Sequence, residues 1–253
     1  MILASVFEQF EINKIINLAI TNSLDLSITN ATVFMAIGLG LYVFLYWASG
    51  LAEGRIIPGR IQTMLEGLYE LVRGISVENI GGVEKGRKYM PWVMSIFMMI
   101  LILNIVGLIP YTFTPTSQIA VTFGLSLSIW VGVTILGMVN YGTKYLSMFM
   151  PGGSPMVLSP IMVSLEMVSY SIRAVSLGVR LAANITAGHI LFVILAGFIW
   201  KMMMVGGMVT LGSIIPMGIM AAVTVLEMGV AIIQAYVFSL LTAIYISESE
   251  ELH

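Results

Sequence analysis

The chain has 253 residues, of which 58% are hydrophobic and only 9% charged, with a mean hydropathy of +1.00. An ordinary soluble domain carries about 25% charged residues, so this composition excludes disorder and a conventional soluble enzyme and describes an integral membrane protein. A net charge of −2 leaves no basic footprint for nucleic acid, and the absence of cysteine removes disulfides, iron–sulfur clusters and thiolate metal sites.

A bilayer core takes about 20 apolar residues of helix, so uncharged stretches locate the spans. Residues 1–27 form an N-terminal arm with one cation, Lys14. Met1–Phe7 has no positive n-region, which argues against a cleaved secretory signal. Residues 28–52 hold a first transmembrane helix, roughly Thr32–Ala48, free of Asp, Glu, Lys and Arg. Residues 53–88 then hold six of the eleven cations: Arg55, Arg60, Arg73, Lys85, Arg87 and Lys88. Within this segment Ile61, Met64, Leu65, Leu68, Leu71 and Val72 recur at helical spacing between Glu66, Glu70 and Arg73. That pattern predicts an amphipathic helix on the membrane surface.

Residues 89–143 are uncharged over 55 positions, too long for one span. Pro110, Pro115, Thr116 and Ser117 divide them. Residues 89–150 therefore predict a transmembrane hairpin, roughly Trp92–Leu108 and Ile119–Asn140. A Pro/Gly-rich break follows at 151–155, and Pro160 lies just beyond. Residues 156–247 predict two long helices, roughly Met162–Met204 and Met208–Ile246, each longer than a perpendicular span requires and so expected to lie tilted. The Glu248–His253 tail reads as a solvated end. The whole is expected to be one all-α membrane domain over 1–253. By the distribution of cations, the 53–88 side is expected to face the cytoplasm or the mitochondrial matrix.

Up to Ser247 the last two helices carry only Glu166, Arg173, Arg180, His189, Lys201 and Glu227 as ionisable groups. A charge at mid-bilayer costs about 2.5–3.5 kcal/mol on insertion scales and 10 or more in simulations, so each needs a reason. Glu166, Arg173 and Arg180 are seven apart, and seven steps of a helix return to within about 20° of the start. They share one stripe, with Asn184 one turn further on and His189 on the opposite face. Glu227 and Gln234 are likewise seven apart on the last helix. Arginine stays protonated, so Arg180 suits a fixed positive post better than a relay. Glu166, His189 and Glu227 can relay protons. Together they suggest proton conduction with a barrier in the middle. Structural readings stand beside this: Glu166–Arg173 as a buried ion pair, His189 as an interhelical hydrogen bond, Gln234 as polar glue between helices. Lys201 reads as snorkelling to an interface. Gly178, Gly188, Gly197 and Gly206-Gly207 read as close helix packing. No cofactor or metal motif appears; GxGxxG, HExxH and a Ser/His/Asp arrangement are all missing.

The segment Ser176-Leu177-Gly178-Val179-Arg180-Leu181-Ala182-Ala183-Asn184-Ile185-Thr186-Ala187-Gly188-His189 resembles the signature of subunit a of F-type ATP synthase. Glu166–Val175, Leu226–Phe238 and the hairpin run Asn104–Tyr111 fit the same family, and the opening Phe7–Ile12 is similar to mitochondrial members from fungi. The resemblance implies a proton-translocating stator that works against a rotating ring of c subunits and forms two offset aqueous half-channels with it. Arg180 matches the family's essential arginine, which keeps the half-channels from short-circuiting. Asn184 and Gln234 match polar positions beside it. His189 and Glu227 match the pair lining the half-channel open to the intermembrane space; in bacterial relatives that acid and histidine exchange positions. Glu166 matches a residue of the matrix-side half-channel, and Arg173 an arginine of some members only.

The resemblance further implies a multi-pass protein of the mitochondrial inner membrane, with a peripheral stalk and small membrane-sector subunits as partners and no cofactor. The chain has no nucleotide-binding motif and no catalytic site of its own; any enzymatic label belongs to the proton-transporting ATP synthase complex. Glu166 and His189 are 23 residues apart, up to about 34 Å along a straight helix, so they cannot share one site. The reading from a different class is a stand-alone secondary transporter or ion channel, whose folds usually show internal repeats and broken helices. No repeat is evident. A third reading is a structural membrane anchor with its charges as buried pairs.

Overall fold

A computed structural model of the chain describes residues 10–16, 19–21, 24–25, 27–48, 59–109, 112–142, 144–145 and 159–250. Arg55, the Pro110-Tyr111 turn, the break at 151–155 and residues 251–253 lie outside the described residues.

The N-terminal arm forms short antiparallel pairs. Strand β1 (Lys14–Ile16) pairs with β4 (Ile28–Thr29), and β2 (Ala19–Thr21) with β3 (Leu24–Asp25). Strands of two or three residues are too short to show alternation, which is why the sequence reads only as an arm. Helix α1 (Asn30–Ala48) starts where the Thr29 hydroxyl accepts from the Thr32 amide at 3.4 Å, an N-cap. Helix α2 (Arg60–Asn79) is the expected amphipathic helix, burying Val72 and Ile75 while Arg60, Glu70 and Arg73 stay exposed. It ends at Gly81 and Gly82, whose φ of 82° and 107° suit only glycine.

Helix α3 (Val83–Gly107) begins nine residues before the expected Trp92. It runs through Pro91, which removes one backbone hydrogen bond without stopping the helix. Helix α4 (Ile119–Tyr141) completes the hairpin after a 3-10 turn at Pro115–Ser117. Helix α5 (Ser159–Val205) has 47 residues, about 70 Å if straight. After Gly206-Gly207, both at positive φ, the final segment is divided: α6 (Met208–Gly212) and α7 (Ile214–Glu250). Nothing packs within 4 Å of Gly197, Gly206 or Gly207, so the expectation of close packing fails there: the Gly206-Gly207 pair makes a turn.

Among the described residues, five helical segments are long and apolar enough to cross a membrane. The chain is an all-α integral membrane protein apart from its small β arm. Helix α3 is the most buried of these spans, with 67% of its apolar window buried, against 17% for the α5 span and 11% for the last. Those two windows are mostly exposed, whereas α7 is buried along its C-terminal half, at Ala231, Ala235, Phe238, Ala243, Tyr245 and Ile246.

Two compact units divide the chain. The first comprises residues 1–43, 99–119 and 181–234. In it Gln118 Nε2 donates to the Phe10 carbonyl at 2.7 Å, tying the N-terminal arm to the hairpin turn. The second comprises 44–98, 120–180 and 235–253. In it Gly178 of α5 lies on the α4 backbone: a Cβ there would stand 2.9 Å from the Thr122 carbonyl. Gly86 of α3 meets Val77 of α2 equally closely, with 2.8 Å to its Cα.

Candidate functional site

In the first unit, three helices contribute to one small cavity of about 10 Å³. Asn104 and Leu108 come from α3, Asn184, Ile185 and His189 from α5, and Glu227 and Val230 from α7. A space of this size takes about one water-sized group. Three of the sequence-predicted residues, Asn184, His189 and Glu227, thus line the same cavity. The Nε2 of His189 lies 3.1 Å from the Thr114 hydroxyl, and its ring stands edge-on to Phe10, with centroids 6.2 Å apart. Thr114 Oγ1 also sits 3.3 Å from the Gly107 carbonyl. When the hydroxyl proton goes to Gly107, Oγ1 accepts from Nε2–H of His189.

Glu227 Oε1 and Asn104 Oδ1 are both buried acceptors with no hydrogen-bond donor among the described residues. Asn104 Nδ2 points the other way, 3.4 Å from the Ala231 carbonyl. The close approach of α5 to α7 is set by Gly188, whose Cα faces the Glu227 carboxylate directly. Gln234 is buried on α7 but does not line the cavity.

In the second unit, Arg173 bridges two carboxylates. Its Nη1 donates to Glu248 Oε1 at 2.7 Å and its Nη2 to Glu166 Oε1 at 3.3 Å. All three side chains are only about half-buried, so this is a partly wet cluster rather than a deeply buried ion pair. One turn before Arg173, the Tyr170 hydroxyl lies 3.2 Å from Thr134 Oγ1 and 3.5 Å from the hydroxyl of buried Tyr145. Arg180 behaves differently from Arg173. It is exposed on α5, and no hydrogen bond or ion pair joins it to a described residue. Its exposed neighbours one turn away are Ser176, Ala183 and Asn184.

The expectation of a solvated tail is corrected at Glu248–Glu250. These residues are the last turn of α7. Glu250 accepts from the Tyr89 hydroxyl and from Asn140 Nδ2 at 3.0 Å, its backbone carbonyl accepts from Tyr141 at 2.6 Å, and Lys85 Nζ lies 4.0 Å away. Sequence reasoning missed Asn104, Thr114, Glu248 and Glu250. Asn104 carried a signal, as an amide inside an apolar helix. Glu248 and Glu250 carried a weaker one, since no Gly or Pro stops the helix after Ile246.

A sequence profile of the ATP synthase A chain family matches residues 30–247. The chain is 38% identical over 253 residues to ATP synthase subunit a of Chondrus crispus, covering 100% of this chain and 98% of that protein. It is 43% identical over 250 residues to ATP synthase subunit a of Metridium senile, with 99% of each covered. It is 39% identical over 246 residues to ATP synthase subunit a of Rhodospirillum rubrum, with 97% and 98% covered. The family match runs from the start of α1 to within three residues of the end of α7. The chain belongs to the ATP synthase A chain family, the proton-translocating subunits of the synthase's membrane sector.

Proposed function

We propose that the chain, acting as a single membrane domain, forms two offset half-channels against a ring of c subunits, with Arg180 as the fixed charge between them. One observation carries this reading: Arg180 is an exposed cation with no hydrogen bond or ion pair to a described residue, on a helix long and apolar enough to cross a membrane. A guanidinium in hydrocarbon needs a counter-charge. Among the described residues the carboxylates of α5 and α7 are placed elsewhere: Glu166 and Glu248 on Arg173, Glu250 with Tyr89, Asn140 and Lys85, and Glu227 against Gly188 at the cavity. The partner that completes Arg180 is then a carboxylate carried past it by the rotor.

The cavity of Asn184, His189 and Glu227 supports a half-channel on the intermembrane-space side, with Asn104 and Thr114 holding its walls. The Glu166–Arg173–Glu248 cluster supports a second on the matrix side. Gln234 contributes polarity near the ring-facing surface. A proton entering at the first site passes to the rotor carboxylate, which is neutral during its passage through lipid. On returning to Arg180 it ionises, releasing the proton to the second site. The permanent charge of Arg180 repels protons in transit, so flow cannot bypass rotation. Each proton crossing contributes about 2.3 kcal/mol per 100 mV. Helices α5 and α7 lie tilted around the ring, the cation-rich 53–88 side faces the matrix, and the peripheral stalk and small membrane-sector subunits cover other faces. The setting is the mitochondrial inner membrane.

The test replaces Arg180 with Gln in the assembled complex and measures ATP-driven pumping and passive proton flux. Pumping is expected to vanish. Pumping at the normal rate would remove the proposal, and purification of an active chain without a ring would favour a stand-alone transporter.

A further inference from the structure

A second cavity, about 150 Å³, lies between α2 and α3 in the second unit. Its lining is Tyr69, Arg73 and Val77 from α2 and Val83, Arg87 and Met90 from α3. Each set recurs at three- or four-residue spacing, so one face of each helix contributes. The faces are held together where Gly86 meets the backbone of Ser76 and Val77.

Three features single it out. Its only charged lining groups are two guanidinia, and no carboxylate is among the lining residues. Neither Arg73 nor Arg87 has a hydrogen bond or ion pair with a described residue, although Arg173 in the same unit is fully engaged. The remaining walls are apolar, apart from the Tyr69 ring with its hydroxyl. Two unpaired guanidinia converging from different helices form a fork suited to phosphate oxygens, which they can bind bidentately. The site stands where a surface helix joins a membrane span, the depth of lipid headgroups. Basic pockets at that depth select anionic lipids.

We infer that Arg73 and Arg87 hold the phosphate of an anionic phospholipid, with Val77, Val83 and Met90 against its glycerol and upper acyl region. The chemistry shared with free phosphate is the anion; the apolar walls favour the lipid. This rests on the membrane placement of the chain and not on the proton pathway.

The test uses the assembled complex reconstituted in phosphatidylcholine vesicles with or without phosphatidylglycerol. Retained lipid is counted by native mass spectrometry after extraction. The native complex is expected to keep phosphatidylglycerol when inorganic phosphate is added to the buffer. Retention should fall roughly fivefold for Arg73→Gln or Arg87→Gln, and further for both together. Arg60→Gln, on the same helix but outside the cavity, should leave retention unchanged. Equal retention by the double variant, equal loss with Arg60→Gln, or displacement by inorganic phosphate would each overturn the inference. A second measurement needs no variant: a phosphatidylglycerol analogue with a photoreactive headgroup should cross-link within residues 69–90. Adducts spread over the chain with no enrichment there would also overturn it.

Discussion

Gly188 lies directly against the carboxylate of Glu227, with no room between them for a side-chain carbon. The glycine preceding His189 thus fixes where the acid of the neighbouring helix sits. Both His189 and Glu227 line the same cavity as a result. Gly188→Ala must push the carboxylate aside. The carboxylate ends a flexible side chain, so the helix pair survives, with overpacking strain of about 1–3 kcal/mol. The assembled complex should form while ATP-driven acidification falls several-fold. Gly197→Ala, with open space around it, is the matched control and should pump normally. Equal rates in both variants would show that the position of Glu227 does not limit proton entry.

The Arg173 bridge predicts a measurable coupling. Removing Arg173 leaves Glu166 and Glu248 close to one another without the shared cation. Arg173→Gln should slow proton translocation, and Arg173→Gln combined with Glu248→Gln should be less impaired than the sum of the single changes. Contacting charges show interaction energies of about 0.5–3 kcal/mol, and partial exposure places this one towards the lower end. The measurement is a double-mutant cycle on pumping rate. Additive effects would mean that the bridge does not operate as a unit.

Much of this was legible in the chain. Uncharged runs place α1, α4, the end of α3 and the ends of the long pair within a few residues, because a bilayer penalises charge more reliably than any propensity rewards it. The stripe of Glu166 and Arg173 was visible from its seven-residue spacing, and the pair is joined by a hydrogen bond. What spacing cannot show is which partner comes from another helix. Thr114 reads as an ordinary turn residue, yet it meets His189, 75 residues away. Glu248 looked like tail charge until α7 continued through it. The expected start of α3, Trp92, falls nine residues late because the uncharged run begins only at Tyr89, whereas the first turns of the helix carry Glu84, Lys85, Arg87 and Lys88.

Glu250 gathers groups from the start of α3 and the end of α4. Tyr89 and Asn140 donate to its carboxylate and Tyr141 to its carbonyl. Hydrogen bonds to a charged group contribute about 1.5–3 kcal/mol when not screened. Glu250→Ala should therefore loosen the last turns of α7, read as faster amide exchange over residues 244–250. Tyr89→Phe should produce a smaller effect in the same region. Unchanged exchange in the Ala variant would show that packing of buried Tyr245 and Ile246 suffices to hold this end.

The Thr114 hydroxyl lies within hydrogen-bond distance of His189 Nε2, and the Gly107 backbone also hydrogen-bonds the imidazole. The hydroxyl anchors the imidazole beside the cavity, while the Gly107 carbonyl anchors the hydroxyl. Thr114→Val keeps the shape and removes the hydrogen bond, so the ring loses its orientation but not its place. Net hydrogen bonds of this kind are worth about 0.5–1.5 kcal/mol, which corresponds to a several-fold drop in pumping rather than abolition. Thr114→Ser restores the hydroxyl and should recover most of the rate. The pH dependence of pumping discriminates further. If Thr114 tunes His189, the Val variant shifts the pH profile and the Ser variant does not; if Thr114 only fills space in the turn, both profiles coincide with that of the native complex.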